Sequence, residues 1–455
     1  MLPLFTIFLI AVAVYASTPD RASNFPVSPD VAAQYECGST CQENIQAASA
    51  TDLEDFDMPF DFDFYTTAKN FSGSKPGDIL KLQPVDPKLA KFPAGIAAYR
   101  FQYTSVDLDN STIPATAFIA FPFVRQKDPF KLVAYAHGTS GVFRGCSPST
   151  SSTFYDYDTW IPLSLAGYAV VGTDYAGLGN NYSAHKYISA RVNANDVFWS
   201  TIAAQNAFPH SLSREWVSIG HSQGGGASWK LSEHKLVQKN QSGYLGGVAI
   251  APNTRIYDAI TQSVNMAAGL SSEDQQKMGS SGYIPSIYFA LRAVYPNYTA
   301  PFLSTLAKKR FELGELAQLC AAALPAVVSD LGLAEIITSL DEDALSVVKE
   351  FQELNAPAQG DKASRPLLVI QGANDTTVFP SLTVKAYEQA CEAGNRVRLS
   401  IYPGLEHSPL SGASAPQWLE FIDGLFEGRD LHNCSVETVS AFDLEYARTP
   451  AEDEL

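Results

Sequence analysis

The sequence predicts an α/β fold in which a mostly parallel, doubly wound sheet carries an inserted helical domain. Two observations predict it: short apolar runs alternate with helical stretches along most of the chain, and one long interval contains no such run. The 455 residues, 46% of them hydrophobic and 17% charged, can bury a large core. This length fits two or three average domains, and it fits a single α/β core with a sizeable insertion equally well.

The apolar runs have the character of buried parallel strands, because helices on both faces of a parallel sheet favour apolar residues throughout. The predicted strands are residues 132–135, 169–172, 216–219, 248–250, 367–370 and 397–401. Before them, residues 97–105 and 112–122 predict an antiparallel hairpin. A polar, loop-like entry is predicted to extend to about Lys88.

Helical stretches separate these strands. They are residues 192–207, 225–238, 382–393 and 415–426. The alternation breaks between 252 and 362, where no convincing strand is found. The helices predicted in that interval are residues 286–294, 301–323 and 341–354. We therefore predict a core formed by residues 17–251 and 363–455, with residues 252–362 inserted as a helical lid or cap.

The N-terminal residues predict a cleaved secretory signal peptide at 1–16. Residues 2–14 are almost wholly apolar and too few to span a bilayer comfortably, and Val14-Tyr15-Ala16 suits cleavage after Ala16. No Lys or Arg precedes the apolar run, which departs from the usual pattern. We expect a secreted, extracellular protein. Residues 452–455 resemble an endoplasmic-reticulum retention address with the wrong first residue, so retention there is the minor alternative.

Cysteines and glycosylation sequons agree with passage through the secretory route. The six cysteines are even in number, scattered and without metal-binding spacing, which predicts disulfides formed in an oxidising compartment. They are Cys37, Cys41, Cys146, Cys320, Cys391 and Cys434. Asn-x-Ser/Thr sequons predict N-glycosylation. The asparagines concerned are Asn70, Asn110, Asn181, Asn240, Asn297 and Asn433.

The charge balance limits the classes of partner. The formal net charge is −17, the same sign as a phosphate backbone, so nucleic acid is excluded as a partner and anionic membrane surfaces are disfavoured. No pattern indicates a metal or a cofactor. Gly177-Leu178-Gly179 lacks the third glycine of a dinucleotide-binding fingerprint, so we interpret it as a tight turn.

A nucleophile motif follows the predicted strand at 216–219. Gly220-His221-Ser222-Gln223-Gly224 fits the pattern G-x-S-x-G, with a strand before it and a helix after it. Such a strained turn requires very small residues two positions either side of the serine, and Gly220 and Gly224 supply them. We therefore predict Ser222 as a catalytic nucleophile rather than part of a Gly-rich turn.

A serine hydroxyl needs an imidazole to take its proton and a carboxylate to orient that imidazole, in the order Ser, acid, His in this kind of fold. Asp375 follows the strand at 367–370, and His407 follows the strand at 397–401. We predict Asp375 as the acid, with a turn aspartate as the alternative, and His407 as the base. His432 lies beyond the expected edge. The sequon at Asn374 should remain unglycosylated because a glycan would crowd the acid.

Two backbone N–H groups should stabilise the oxyanion of the tetrahedral intermediate. One is predicted to belong to Gln223, directly after the nucleophile. The other should lie in the loop after the strand at 132–135. We assign it to Thr139, with Gly138 and Gly141 as alternatives.

Several of these residues together resemble the fungal secretory lipases of the Candida antarctica lipase A type, within the α/β-hydrolase superfamily. The matching features are the elbow at 220–225, Cys146-Ser147-Pro148-Ser149, the turn at 173–177, the loop at 372–375, and His407. The resemblance implies an α/β-hydrolase core with a helical lid between nucleophile and acid. It also implies the pairs Cys146–Cys320 and Cys391–Cys434, which leaves Cys37 with Cys41.

We expect a serine carboxylic-ester hydrolase, a lipase or esterase, that acts through an acyl-enzyme on a small-molecule or lipid ester. His137-Gly138-Thr139 departs from the acidic oxyanion residue of that lipase and is more typical of general esterases. Because some relatives deacetylate fungal secondary metabolites such as trichothecene esters, an acetyl esterase is the alternative. A serine peptidase and a non-catalytic binding protein are less favoured. We expect a monomer whose contact with a lipid interface is transient and made by the lid.

Overall fold

The computed structural model describes residues 20–124, 128–276, 279–430 and 433–449. The predicted signal peptide and the tail at 452–455 lie outside these residues, as does His432. No helix within the described ranges has the length and apolar character needed to span a lipid bilayer.

Ten strands of the described residues form one sheet in the order β1-β2-β3-β5-β4-β6-β7-β8-β9-β10. They are β1 (Ile79–Pro84), β2 (Ala97–Val106), β3 (Thr112–Phe121), β4 (Phe130–Ala136), β5 (Ala169–Thr173), β6 (Leu212–His221), β7 (Tyr244–Ile250), β8 (Leu367–Gly372), β9 (Val397–Tyr402) and β10 (Ser435–Thr438). Strands β4 to β10 pair in parallel, whereas the pairs β1·β2, β2·β3 and β3·β5 are antiparallel. The predicted fold class is therefore confirmed, including the hairpin of β2 and β3.

Helices precede and separate these strands. They are α1 (Pro29–Gln34), α2 (Ser39–Asp55), α3 (Phe62–Tyr65), α4 (Trp160–Leu165), α5 (Ala190–Ala207), α6 (Gln223–Ser232), α7 (Ile256–Ala267), α8 (Ser272–Gln276), α9 (Ile284–Val294), α10 (Thr305–Ala317), α11 (Ala323–Ala326), α12 (Leu333–Ile336), α13 (Glu342–Asn355), α14 (Pro380–Glu392), α15 (Leu410–Ala413) and α16 (Ala415–Phe426). Helices α7 to α13 all lie between β7 and β8.

The sheet is covered on both faces, as the apolar strands require. Along β4, Leu132 and Ala134 pack in a cluster with residues of α5 and α6, whereas Val133 and Tyr135 pack with residues of α4 and α16. Successive side chains of a strand point to opposite faces, so both sets must be apolar. For this reason the sequences of the core strands are continuous apolar runs.

Residues 252–362, which we call the lid, have a core cluster of their own. Phe302, Phe311 and Leu324 are fully buried in it. The N-terminal helix α2 joins the same cluster through Cys41 and Ile45. The N-terminal segment therefore packs against the lid, and the exact limits of the lid stay a prediction.

The prediction of a loop-like entry through Lys88 is wrong, because α1, α2 and β1 lie in that stretch. Helix α2 buries Gln42 and Asp52 together with Cys41 and Ile45, so its buried face carries no apolar period. Strand β1 is an edge strand that pairs with β2 alone. Helix α2 and strand β1 were missed because their burial depends on contacts with distant parts of the chain and not on a local apolar pattern.

Helix α6 differs from the predicted helix at 225–238, since it begins directly after Ser222 and ends at Ser232. The side-chain amide of Gln238 donates to the backbone carbonyl of Ser232 over 2.7 Å, and Glu233 accepts from the backbone N–H of Ala358. These contacts end the helix, whereas the apolar pattern continues beyond it.

Candidate active site

Ser222 stands on a strained turn between β6 and α6. Its φ of 56° and ψ of −116° lie in a region that L-residues rarely adopt. A Cβ at Gly220 would come within 2.2 Å of the Gly224 carbonyl oxygen, and one at Gly224 within 1.9 Å of the Ala136 carbonyl oxygen. The backbone N–H of Ser222 donates to the Ile250 carbonyl over 2.9 Å. Neighbouring strands therefore hold this turn in a shape that only glycine permits on either side.

Asp375 and His407 meet at the carboxyl ends of β8 and β9. Nδ1 of His407 lies 2.8 Å from Oδ2 of Asp375, and both residues are 3% exposed. A Cβ at Gly372 would be 2.4 Å from the Leu405 carbonyl oxygen, so the two turns pack closely. The sequence predicted this acid and this base from chain order and from the strand before each of them, and the structure brings them into hydrogen-bond contact.

The Asp375 carboxylate accepts further hydrogen bonds. The backbone N–H groups of Thr377 and Val378 donate to Oδ1 over 2.9 and 2.7 Å, and the Gln371 side chain donates to Oδ2 over 3.0 Å. Burial would raise the pKa of Asp375, but His407 and these donors together outweigh burial and hold that pKa below its usual value. The carboxylate therefore stays ionised beside His407 at neutral pH.

The loop at 137–141, which we call the oxyanion loop, follows β4 and lies beside the nucleophile. A Cβ at Gly138 would be 3.7 Å from the Cβ of Ser222. The Thr139 hydroxyl is 2.8 Å from the Tyr187 hydroxyl, and the Thr139 carbonyl accepts from the Tyr155 hydroxyl over 2.9 Å. These contacts fix the orientation of the peptide groups around Thr139. Its role as an oxyanion donor stays a prediction.

Gln223 begins α6, so its N–H is one of the first-turn groups that have no partner within the helix. Its side chain is buried, and Nε2 lies 3.1 Å from Nε2 of His185. Because Nδ1 of His185 donates to the Ala176 carbonyl over 3.0 Å, Nε2 of His185 is the acceptor. Burial lowers the pKa of His185 to about 3 and keeps it neutral.

The oxyanion loop is joined to the lid. Cys146, just beyond the loop, is bonded to Cys320, and the backbone N–H of Ala321 donates to the Ser140 carbonyl over 3.2 Å. Gly141 forms a bridge with Cys320. The lid is therefore tied to the loop that is predicted to supply an oxyanion donor.

A small cavity of about 50 Å³ opens at Ser222. From the core it is lined by Tyr187, Ile188, Ser222, Thr377 and Val378. From the lid it is lined by Asn253, Ile256, Ala259, Ile260, Ser263, Tyr283, Ile284 and Ile287. Helices α7 and α9 thus supply an almost entirely aliphatic wall opposite the nucleophile.

Two side chains beside the triad had no role in the sequence prediction. His221 packs its ring against His407 at a centroid distance of 4.5 Å, and Tyr157 stacks on His221 at 5.1 Å. His221 precedes Ser222 and Asp375 in the chain, so the order Ser, acid, His excludes it as the base. The sequence indicates no other role for His221. Tyr157 lies in a segment without any motif, so no sequence signal points to it.

The structure also locates the cysteines and the asparagines of the predicted glycosylation sequons. The pairs Cys37–Cys41, Cys146–Cys320 and Cys391–Cys434 are disulfide-bonded. All six asparagines predicted to carry glycans are exposed, and Asn374 is exposed as well, so their occupancy stays a prediction. Across the described residues, no cluster of three or more His, Cys, Asp or Glu side chains could hold a metal ion.

Comparison with known proteins agrees with this architecture. A model of the prolyl oligopeptidase family matches residues 335–428, which include Asp375 and His407. Lipase 6 of Candida albicans is 22% identical over 404 residues, which is 84% of this chain and 84% of that protein.

Solved structures show the same similarity. Candida antarctica lipase A has a TM-score of 0.69 at 15% identity, over 87% of this chain and 93% of that chain. The rice cell wall degrading esterase LipA from Xanthomonas oryzae has a TM-score of 0.56 at 17% identity, over 78% of this chain and 98% of that chain. The α/β-hydrolase fold and the resemblance to lipases of the Candida antarctica lipase A type are confirmed.

Proposed function

We propose that this chain is a serine hydrolase that cleaves carboxylic esters through an acyl-enzyme intermediate. The observation that carries the proposal is the 2.8 Å contact between His407 Nδ1 and Asp375 Oδ2, at the sheet edge where Ser222 occupies its strained turn. The similar proteins named as lipases and as an esterase support the same reaction class.

The first half of the reaction acylates Ser222. Because the Asp375 carboxylate accepts the Nδ1 proton of His407, Nε2 of His407 carries the lone pair. That nitrogen takes the proton of Ser222 Oγ as the oxygen attacks the ester carbonyl carbon. The carbonyl oxygen becomes an oxyanion that accepts hydrogen bonds from the backbone N–H groups of Thr139 and Gln223, each worth about 10²–10³ in rate.

Departure of the alcohol completes the acylation, and hydrolysis of the acyl-enzyme then regenerates the serine. His407 donates its proton to the alcohol oxygen as the carbon–oxygen bond breaks, so the alcohol leaves and the acyl group stays on Ser222. Water then attacks the acyl carbon while His407 takes its proton, and the carboxylic acid leaves as that proton returns to Ser222 Oγ. Water is the only co-reactant that this balance requires.

Replacement of the nucleophile tests the proposal. We expect Ser222→Ala to lower kcat for p-nitrophenyl acetate by about 10⁴-fold or more, since the parts of a triad act as a unit. The matched control is Ser346→Ala, an exposed serine on α13, which should keep full activity. Hydrolysis that survives Ser222→Ala would contradict the proposal.

The length of the acyl group in the substrate is a separate question. The small volume of the cavity at Ser222 favours a short acyl group. At about 50 Å³ it is far smaller than the roughly 300–1,000 Å³ of sites for drug-sized ligands. We propose, as the second candidate, an esterase for short acyl groups such as acetyl. The lipase alternative requires α7 or α9 to move away from Ser222.

A chain-length series of esters, measured with and without an oil interface, separates these candidates. Highest kcat/KM for acetate in solution, with no increase at the interface, supports the short-acyl esterase. A jump in activity on long-chain esters at the interface supports the lipase. Cleavage of peptide substrates in preference to esters would instead support a peptidase and contradict both.

We also propose that the protein is secreted and glycosylated. Three disulfides are typical of proteins that fold in an oxidising compartment, and the predicted sequons are exposed. Expression in a yeast should place the protein in the medium, and treatment with a peptide N-glycosidase should lower its mass.

A further inference from the structure

The loop that carries the base, residues 403–409, is held by the half of the core that precedes the lid. Nε2 of His221 lies 3.1 Å from the His407 carbonyl oxygen. The Tyr157 hydroxyl donates to Oγ of Ser408 over 2.8 Å. His221 and Tyr157 thus contact the base and its neighbour from a distant part of the chain.

The same two side chains form a stack with the base. The Tyr157 and His221 rings are nearly parallel, with an interplanar angle of 11° and centroids 5.1 Å apart. His221 in turn packs against His407 at 4.5 Å and an angle of 45°. Both imidazoles are 3% exposed, so neighbouring groups confine their positions tightly.

The protonation state of His221 follows from its contacts. A carbonyl oxygen only accepts, so Nε2 of His221 carries the proton that it donates to His407. Burial and the neighbouring His407 lower the pKa of His221 to about 3, and the nearby Asp375 opposes them only in part. His221 is therefore neutral at ordinary pH and places no second positive charge beside His407 when His407 is protonated.

We propose that His221 and Tyr157 are positioning residues for the base. The bond to Asp375 fixes one ring nitrogen of His407 but leaves the ring free to pivot about that contact. The hydrogen bond to the His407 carbonyl, the bond to Ser408 and the stacked rings together remove that freedom and direct Nε2 toward Ser222. This inference rests on the proposed function.

The role predicts an effect on turnover rather than on substrate binding. Neither His221 nor Tyr157 lines the cavity at Ser222, so their replacement should leave KM nearly unchanged. A misplacement of about 1 Å in a catalytic group can cost on the order of 10²-fold in rate. The loss should therefore appear in kcat.

Paired substitutions at His221 test the hydrogen bond. His221→Phe keeps a ring in the stack but removes the donor, and we expect kcat for p-nitrophenyl acetate to fall about 10²-fold. His221→Gln keeps an N–H that can reach the His407 carbonyl, and it should recover kcat to within about tenfold of the unchanged protein. Equal losses in the two variants, an unchanged kcat in His221→Phe, or a loss confined to KM would overturn the proposal.

A second test does not depend on the folding of the His221 variants. Tyr157→Phe and Ser408→Ala each remove one partner of the same hydrogen bond, so each should lower kcat by roughly three- to tenfold. The double variant should lose no more than either single variant, because only one interaction is broken. Multiplicative losses would contradict a shared role.

Ser222→Ala, measured in parallel, separates this inference from the proposed function. If Ser222→Ala is inactive while His221→Phe keeps full kcat, only the positioning role fails. If Ser222→Ala retains activity, the proposed function itself fails. Far-ultraviolet circular dichroism and the thermal midpoint of every variant verify that the fold is intact.

Discussion

The core and the lid meet at Ser222, but they specify their parts of the site differently. In the core, Ser222, Asp375 and His407 each follow a strand of the parallel sheet, and the order of strands brings the three turns to one edge. In the lid, α7 and α9 present side chains to the cavity according to how the helices pack on one another. We therefore propose that the core determines the reaction, whereas the lid limits which substrates reach Ser222.

The two regions should also respond differently to substitution. A change at Ser222, Asp375 or His407 should remove catalysis even where the packing of the core is undisturbed. A change in the lid should alter substrate preference or stability and leave the chemistry in place.

The largest effect should come from Asp375→Asn in the core. The amide would present an N–H₂ group to Nδ1 of His407 and favour the wrong tautomer of the base, so kcat should fall about 10⁴-fold. Steady-state kinetics with p-nitrophenyl acetate measures the loss, and Asp86→Asn at the surface serves as the control. If Asp375→Asn lowered kcat less than tenfold, Asp375 would not be the acid.

The disulfide between core and lid should matter more for stability than the disulfide near the sheet edge. Cys146–Cys320 spans 174 residues and Cys391–Cys434 spans 43. Loop-closure entropy gives about 5 and about 4 kcal/mol for the two crosslinks. We expect the double Cys→Ala variant of the first pair to lose more free energy of unfolding in denaturant titrations. The reverse order would contradict a lid that is fastened through Cys320.

Within the lid, Ile284→Ala should widen the cavity and shift the preference toward longer acyl groups. A hydrophobic pocket discriminates by about 10–200-fold per methylene, so the ratio of kcat/KM for butyrate to that for acetate should rise at least about tenfold. Ile336→Ala, a buried lid isoleucine that does not line the cavity, is the matched control. An equal ratio in both variants would show that α9 does not limit the acyl group.

The smallest effect concerns pH and the contact between the N-terminal segment and the lid. Asp52 of α2 accepts hydrogen bonds from the backbone N–H groups of Ala322 and Ala323, and burial raises its pKa to about 7. Between about pH 4 and 7 the folded protein therefore holds a proton that the unfolded chain has released, so stability should fall as pH rises.

One such proton difference changes the free energy of unfolding by about 1.4 kcal/mol per pH unit. Asp52→Asn should remove that contribution from the slope of stability against pH, as measured by urea titrations at several pH values. The buried acids Asp196 and Glu233, whose pKa values burial also raises to about 7, should keep part of the slope. An unchanged slope in Asp52→Asn would contradict this assignment.

The sequence predicted the core and the triad because each depends on local signals. The elbow glycines, the strand before each catalytic turn and the order of Ser222, Asp375 and His407 can all be read along the chain. Alternating apolar residues identified β2 and β3, and continuous apolar runs identified the core strands from β4 to β9. The disulfide pairs came from resemblance to a family rather than from the residues themselves.

What the sequence could not give depends on contacts between distant segments. Tyr157 and Ser408 are 251 residues apart, and nothing in either local pattern indicates that they meet. Helix α2 was missed because its buried face includes two polar residues, of which Gln42 donates to the Val27 carbonyl and Asp52 accepts from Ala322 and Ala323 of the lid. The choice among Gly138, Thr139 and Gly141 as oxyanion donor requires the direction of individual peptide groups, which sequence patterns do not encode.

The most direct test of the central claim is covalent labelling with a fluorophosphonate, followed by mapping of the labelled peptide by mass spectrometry. We expect rapid labelling of Ser222, no labelling in Ser222→Ala, and labelling slowed by about 10³-fold or more in His407→Ala, because the serine then lacks its base. Labelling of a different residue, or a rate at Ser222 that does not depend on His407, would contradict the central claim.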